Sequence, residues 1–419
     1  MSRVNIIGAH HTRFGRFAEV DETTGVTRDT RSYYELIVES GRGALEDAGV
    51  EPGAIDAIYV GSCSPSLFVS QEHVAAVAAE IHPDLRFRPM TRVEGACASS
   101  SLALYEGVYG IEAGRYQKVL VIGVEKMSLL DTEGTSRVLS MCSYYPEEGA
   151  RGMTFPGLFA QLALAWQAHH GIPAEELRRM LASVSALGYR NGAENPLAQF
   201  GPTGKPARMG LFDAQAILDL PITGKGANVE VAPPLRLHDC SLISDGAAAL
   251  VLSRAPRAGA PAVEIAGIGH TVDRLPLSTR VNKHVLEGTR AACGKAFAEA
   301  GITIGDVDLA EVHDCFTISQ LLCTEALGLS ADGRAGHDYL EGRFTREDRC
   351  PVNLSGGLKA KGHPVGATGA SMHALVYRQL IGRPIGAAPR RADGGPAVGV
   401  VLNVGGAAVT SCVTVLRRV

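Results

Sequence analysis

The feature that most constrains this chain is an internal repeat. Ala44-Leu45-Glu46-Asp47-Ala48-Gly49-Val50 is matched by Ala296-Phe297-Ala298-Glu299-Ala300-Gly301-Ile302, at an offset of 252 residues. Gly53, Ile55, Asp56 and Cys63 are matched by Gly305, Val307, Asp308 and Cys315 at the same offset. Upstream, Val4, Ile6, Gly8, His11 and Thr12 are matched by Val263, Ile265, Gly267, His270 and Thr271, at an offset of 259. Two blocks in the same order, each helix-and-strand in character, point to one structural unit written twice.

Hydrophobic periodicity fills in that unit. Strands are expected at Val4 to Gly8, Ala57 to Val60, Phe87 to Val93, Lys118 to Gly123 and Ala247 to Ser253, and in the second half at Val398 to Val404 and Ala407 to Leu416. A helix is expected from Ser32 to Ala48, a small-residue helix from about Ser70 to Glu80, and another running from Cys97 to near Gly114. Apolar strands alternating with such helices predict an α/β fold with a mostly parallel sheet covered on both faces. The last two strands follow one another closely, whereas their first-half equivalents are separated by residues 124–246. The chain therefore divides into an N-terminal half, 1–255, carrying a loop domain inserted at about 125–243, and a C-terminal half, 256–419. The insertion holds the only tryptophan, Trp166, and five of the eight methionines. Those methionines fit either a pocket for an apolar group or the insertion's own small core.

Composition excludes several function classes. With 46% hydrophobic residues and a net charge of −4, the chain is an ordinary globular protein with no basic field for nucleic acid or an anionic membrane. No run approaches the ~18 apolar residues of a membrane span. The first residues read directly as a strand, with no signal-peptide segment, so a cytoplasmic location is expected. Nine scattered cysteines include no Cys-x-x-Cys pair, which predicts free thiols rather than disulfides or a metal site.

Chemistry concentrates where strands end. Val93-Glu94-Gly95-Ala96-Cys97-Ala98-Ser99-Ser100-Ser101 places one thiol between a strand and a helix start, where unpaired N–H groups and the helix dipole favour thiolate. By itself Cys97 fits a nucleophile or a buried structural thiol. Glu311-Val312-His313-Asp314-Cys315-Phe316 ends another strand, the usual ligand position in open α/β sheets. Asn353 to Gly369 surrounds His363 with small residues that let backbone approach a ligand. Asn403-Val404-Gly405-Gly406 is a glycine turn whose N–H groups could serve an oxyanion. Together these are nucleophile, base and oxyanion donors for acyl transfer.

Gly95-Ala96-Cys97-Ala98-Ser99-Ser100, Ser244-Asp245-Gly246-Ala247-Ala248-Ala249, His313-Asp314-Cys315-Phe316, Gly362-His363-Pro364-Val365-Gly366-Ala367-Thr368-Gly369 and the terminal glycine turn resemble the thiolase superfamily of CoA-dependent acyltransferases. The His-Asp-Cys-Phe form is similar to the sterol-carrier-protein type and its bacterial and archaeal acetyl-CoA acetyltransferase-like relatives. The resemblance implies a five-layer αβαβα fold of two duplicated halves, and CoA thioesters as substrates with no resident cofactor or metal. It implies that Cys97 takes the acyl group, that His363 activates it, and that His313 is an oxyanion-hole group near the second substrate. The backbone of Cys97 and Gly405 corresponds to the other oxyanion hole, and Ser241 to a contact of the pantetheine arm. Ser355, Gly356, Met153 and Phe155, with Phe159, are the remaining candidates for the substrate wall. Most thiolases carry a second catalytic cysteine where this chain has Asn403, so Cys315 becomes the candidate acid/base. The resemblance also implies a homodimer or homotetramer. Two alternatives stay open: a condensing subunit acting on a non-CoA acceptor with a small zinc-binding partner, and a non-catalytic acyl-CoA- or lipid-binding subunit.

Overall fold

The computed structural model describes residues 3–259, 261–390 and 395–419. The first half builds β1 (Asn5–His11), α1 (Tyr33–Ala48), β2 (Ala57–Gly61), β3 (Met90–Val93), α2 (Ser99–Glu112) and β4 (Lys118–Lys126). The insertion follows, with α3 (Phe155–His170) and α4 (Ala174–Gly192), before β5 (Asp245–Ser253) completes the half. The second half repeats the plan with β6 (Val263–Val272), α5 (Glu287–Ala300), β7 (Leu309–Val312), α6 (Thr317–Leu327), α7 (Thr368–Leu380), β8 (Val398–Gly405) and β9 (Thr410–Arg418).

The duplication is visible in the strand order. The first half runs β1-β5-β4-β2-β3 and the second β6-β9-β8-β7, with Val352 bridging to Ala310 where β3 has its counterpart. The halves join where β1 and β6 pair antiparallel over Asn5–Glu264 and Ile6–Val263, so nine strands share one ladder. The expected mostly parallel sheet needs a correction: β5 and β9 run against their neighbours on both sides. Only a few residues link β8 to β9, too few for a parallel crossover.

Alternation within the strands explains the layers. Ile7, Leu120, Ile122, Ala247, Ala249 and Val251 pack with Leu36, Ile37, Ala44 and Leu45 of α1 on the outer face. Their neighbours Ile6, Val119, Val121, Ala248, Leu250 and Leu252 share the inner core with Leu104, Tyr105 and Val108 of α2 and with α7. α5 and α6 cover the far side of the second half. α2 and α7 are the middle layer: Tyr105 donates to the Val413 carbonyl of β9 at 3.0 Å, and the Ala370 N–H of α7 donates to Ser100 Oγ of α2 at 2.8 Å. This is the five-layer α/β architecture of two duplicated halves. Even the close contacts repeat, since a Cβ on Gly8 would meet Ala48 at 2.5 Å and one on Gly267 would meet Ala296 and Ala300 within 2.8 Å.

Local chemistry sets the helix ends. Ser32 and Glu35 form a reciprocal capping box on α1, which closes at Gly49 in the left-handed region (φ 63°). The helix expected over 70–80 is instead a run of 3-10 turns, Val74–Glu80, entered through His73 at φ 54° with no side-chain cap. Short, uncapped segments do not sustain an α-helix. No helix among the described residues is long and apolar enough to cross a membrane.

The insertion is tied to the first half by Asp245, whose buried carboxylate accepts the N–H groups of Phe17 (2.8 Å), Met127 (2.7 Å) and Ser128 (2.9 Å). Asp245→Ala strands those buried donors and takes one of two carboxylates from the buried Lys126 ammonium, which keeps Asp29 at 3.0 Å. Urea unfolding is expected to show a loss of about 3–5 kcal/mol.

Candidate active site

Cys97 sits in a one-turn 3-10 segment, Ala96–Ala98, between β3 and α2. Gly95 N–H donates to Ser99 Oγ (3.1 Å), Ser99 Oγ donates to the Ala96 carbonyl (2.6 Å), and Ala96 N–H donates to Glu94 Oε1 (2.5 Å). These bonds hold Ala96 at φ 52°, a left-handed conformation that costs a residue with a Cβ about 1–3 kcal/mol and that clusters at functional sites. The turn reaches the site because α2 presses on the sheet. A Cβ on Gly61 would lie 2.4 Å from Ser100 Cα, and one on Gly123 would lie 2.7 Å from Ser100 Cβ.

Two histidines from the second half meet this thiol. Cys97 Sγ and ring nitrogens of His313 and His363 all lie within 4.8 Å of one another, and the imidazoles stand edge to face, 5.2 Å apart at 85°. All three residues are buried. His363 follows the turn 357–361, and its N–H donates to Ser244 Oγ at 2.9 Å. Its Nδ1 lies 2.7 Å from Thr368 Oγ1, whose own proton goes to the Pro364 carbonyl (3.0 Å). Thr368 must therefore accept, which puts the His363 proton on Nδ1 and leaves Nε2 as a free base. His313 follows β7; its Nδ1 is 3.0 Å from Asn403 Nδ2, and its buried Nε2 has no partner among the described residues. Donors of this kind could hold a thiophilic metal ion, and equally they are a nucleophile with a base and a polariser.

Burial sets the resting charge state. It pulls the His363 imidazole down to about 3, with the Lys361 ammonium adding to the effect, and it holds His313 well below its usual range, helped by His363 and Lys361. Burial also pushes the Cys97 thiol up, against the backbone N–H groups of Gly406 and of Cys97 itself. The preformed thiolate expected from the helix start is therefore corrected: desolvation outweighs the dipole. The resting pair is a neutral thiol beside a neutral imidazole, poised to transfer a proton as the sulfur attacks.

The other candidates divide. Cys315 is buried outside the trio, its thiol pushed up by burial and by Cys97, and its carbonyl accepts the Ser241 N–H at 2.8 Å. That bond brings Ser241 beside the His313–Cys315 turn. Gly405 ends β8 with no room for a side chain, since a Cβ would lie 2.1 Å from the Gly95 carbonyl oxygen. The N–H that reaches the Cys97 sulfur is that of Gly406, one residue later. Ser355 and Gly356 do not present free groups. Ser355 donates to Glu311 (2.6 Å), and Gly356 (φ 93°) packs so tightly on Gly192 that a Cβ would approach to 2.6 Å. Phe155 and Phe159 are buried and Met153 is half-buried in the insertion's packing; Phe159 stacks on Phe316, centroids 4.6 Å apart, next to Cys315.

A family model described as "Thiolase, N-terminal domain" matches residues 4–202, and one described as "Thiolase C-terminal domain-like" matches residues 269–418. The "Acetyl-CoA acetyltransferase" of Methanothermobacter thermautotrophicus is 37% identical over 421 residues, covering 100% of both chains. The chain belongs to the thiolase family. "Sterol carrier protein 2" of Homo sapiens is 28% identical, covering 98% of this chain and 72% of its own. Among solved structures, the "Ltp2-ChsH2(DUF35) aldolase" shares the fold with a TM-score of 0.78 at 19% identity, covering 100% of this chain and 98% of that one.

Within this thiolase fold, several residues at the site go beyond the motif. Asp314 accepts the N–H groups of Leu358 (2.7 Å) and Lys359 (3.2 Å) and so anchors the segment that delivers His363. Lys361 is fully buried and donates to Ser371 Oγ at 2.6 Å, and burial pulls its ammonium down to about 8. Thr368 and Ser101 complete the hydrogen bonding. Only their place inside the motif runs could have signalled them.

Two outcomes are expected. Because the Cys97 thiol is raised, its alkylation rate by iodoacetamide rises about tenfold per pH unit from about pH 6 to 9; an inflection below neutrality contradicts this. Thr368→Val removes the partner that keeps the His363 proton on Nδ1, and acyl transfer slows about tenfold, the worth of one hydrogen bond, in steady-state assays.

Proposed function

We propose that this thiolase-family acyltransferase forms and cleaves the carbon–carbon bond of a 3-ketoacyl-CoA through an acyl group held on Cys97. One observation carries the reading: a buried thiol converges within 4.8 Å on two imidazoles, one with a free Nε2 lone pair. In the first half-reaction Cys97 attacks a thioester or 3-keto carbon as His363 Nε2 takes the thiol proton. CoA, or the enolate of an acyl-CoA, leaves and is protonated. The N–H groups of Cys97 and of the glycine turn stabilise the tetrahedral oxyanion. In the second half-reaction the acyl group passes to CoA, which is thiolysis, or to the enolate of acetyl-CoA, which is synthesis. Cys315 is the group assigned to the Cα proton, and Ser241, beside the His313–Cys315 turn, is assigned to contact the pantetheine arm. Acetyl is the acyl group favoured by the name of the archaeal relative.

Asn403 favours a second reading. It leaves the glycine turn without a thiol, and one structural neighbour is described as an assembly with a DUF35 protein. On that reading the chain is a condensing subunit whose small zinc-binding partner admits the CoA arm and whose acceptor is not a CoA thioester. Aldol cleavage alone does not require the thiol–imidazole pair retained here, nor does a non-catalytic acyl-CoA- or lipid-binding subunit. A homo-oligomer, dimer or tetramer, accompanies either reading. The terminal strand β3, paired on one side only among the described residues, is an edge free for a second copy.

Acetoacetyl-CoA thiolysis by the isolated protein separates the two. The expected result is turnover with parallel double-reciprocal lines, the signature of an acyl-enzyme, abolished in Cys97→Ala. An inactive isolated chain rescued by a co-expressed small partner supports the complex instead.

A further inference from the structure

Asn403 is fully buried and held from two sides. Ser101 Oγ of α2 donates to its Oδ1 at 2.8 Å, which turns its Nδ2 toward His313 Nδ1 at 3.0 Å. Gly369 of α7 makes the room: a Cβ there would lie 2.3 Å from Ser101 Oγ and 2.8 Å from Asn403 Oδ1. In this orientation the amide serves both neighbours, accepting from the Ser101 hydroxyl and donating to His313.

An amide nitrogen only donates, so His313 Nδ1 must accept, and a neutral imidazole that accepts at Nδ1 carries its proton on Nε2. That N–H is the buried atom left without a partner, on a ring with a nitrogen within 4.8 Å of Cys97 Sγ and of a His363 ring nitrogen. We propose that Asn403 is a positioning residue: it locks His313 with its proton on Nε2 and so makes that ring a fixed hydrogen-bond donor to a thioester oxygen. Thr368 does the reverse for His363, and the two imidazoles are thereby assigned opposite jobs. A protonated Nε2 also offers no lone pair, which sets His313 against coordinating a metal with Cys97.

The inference rests on the acyl-transfer function proposed above and specifies how the enolate is stabilised. When Cys315, left as a thiolate after giving its proton to the CoA that departs in the first half-reaction, removes a proton from the α-carbon of acetyl-CoA, the C–H pair becomes the C=C bond of the enolate and the negative charge moves to the thioester oxygen. His313 Nε2–H hydrogen-bonds that oxygen and keeps its own proton. A thiol at position 403 is a far weaker donor to Nδ1 and would leave the ring free to change tautomer.

The test combines a direct and a kinetic measurement on the full chain. Neutron diffraction, or the ring 15N shifts of His313 assigned against His313→Ala, should place the proton on Nε2 in the wild type. In Asn403→Asp the carboxylate accepts instead, so the proton should move to Nδ1. Exchange of the acetyl-CoA methyl protons in D2O should then slow by about 10²-fold, the worth of one oxyanion donor. Loading of acetyl onto Cys97 should slow by clearly less than that exchange, since backbone N–H groups meet its oxyanion. Asn403→Ala should give mixed tautomers and an intermediate exchange rate, and it serves if the aspartate variant does not fold. A wild-type proton on Nδ1, or wild-type exchange in a folded Asn403 variant, overturns the inference. Absence of acetyl loading in the wild type overturns the proposed function itself.

Discussion

The contact between α2 and α7 is what the rest of the molecule depends on. Each half ends a strand, turns, and starts a buried helix, and the duplication lays the two helices against each other between the two halves of the sheet. The Ala370–Ser100 hydrogen bond and the glycines at 61, 123 and 369 allow that approach. Because the helices meet near their N-terminal ends, the turn before α2 and the loop before α7 face one space. Cys97 comes from the first and His363 from the second, so neither half holds a complete site. A fold written twice is thus a way of bringing two different loops to one point.

Desolvation governs the chemistry at that point. Inside this layer a charge is expensive, so Cys97, His313 and His363 rest neutral, and carboxylates are kept by bonding them to backbone N–H groups. Asp314 and Glu125, both pushed up to about 7 by burial, are used this way: the first holds 358–359, and the second accepts the N–H groups of Cys63 and Gly366. The site is polar in its hydrogen bonds and apolar in its dielectric, which is the setting where a fixed N–H donor acts most strongly on developing negative charge.

Much of this was legible in the chain because it is written locally. The repeat offset predicted the duplicated halves, and strand-end motifs marked Cys97, His313 and His363. What escaped the sequence depends on contacts between distant residues. The reversal of β5 and β9 is invisible to hydrophobicity, since a buried strand reads the same in either direction. Residues 70–80 have helical composition but lack a cap. The thiolate expected at Cys97 followed from its neighbours in sequence, whereas its burial comes from the second half. Ser355 looked like a ligand contact until Glu311, 44 residues away, took its hydroxyl. Asn403 registered only as a missing cysteine, and its bonds to Ser101 and His313 span 302 and 90 residues.

The account stands on Cys97 as the atom that carries the acyl group. Brief incubation of the full chain with acetyl-CoA, acid quenching and mass analysis of the peptide containing Cys97 tests this most directly. An acetyl adduct on that thiol, discharged by added CoA, is the predicted result. An unmodified Cys97, or an adduct confined to another of the nine cysteines, contradicts it.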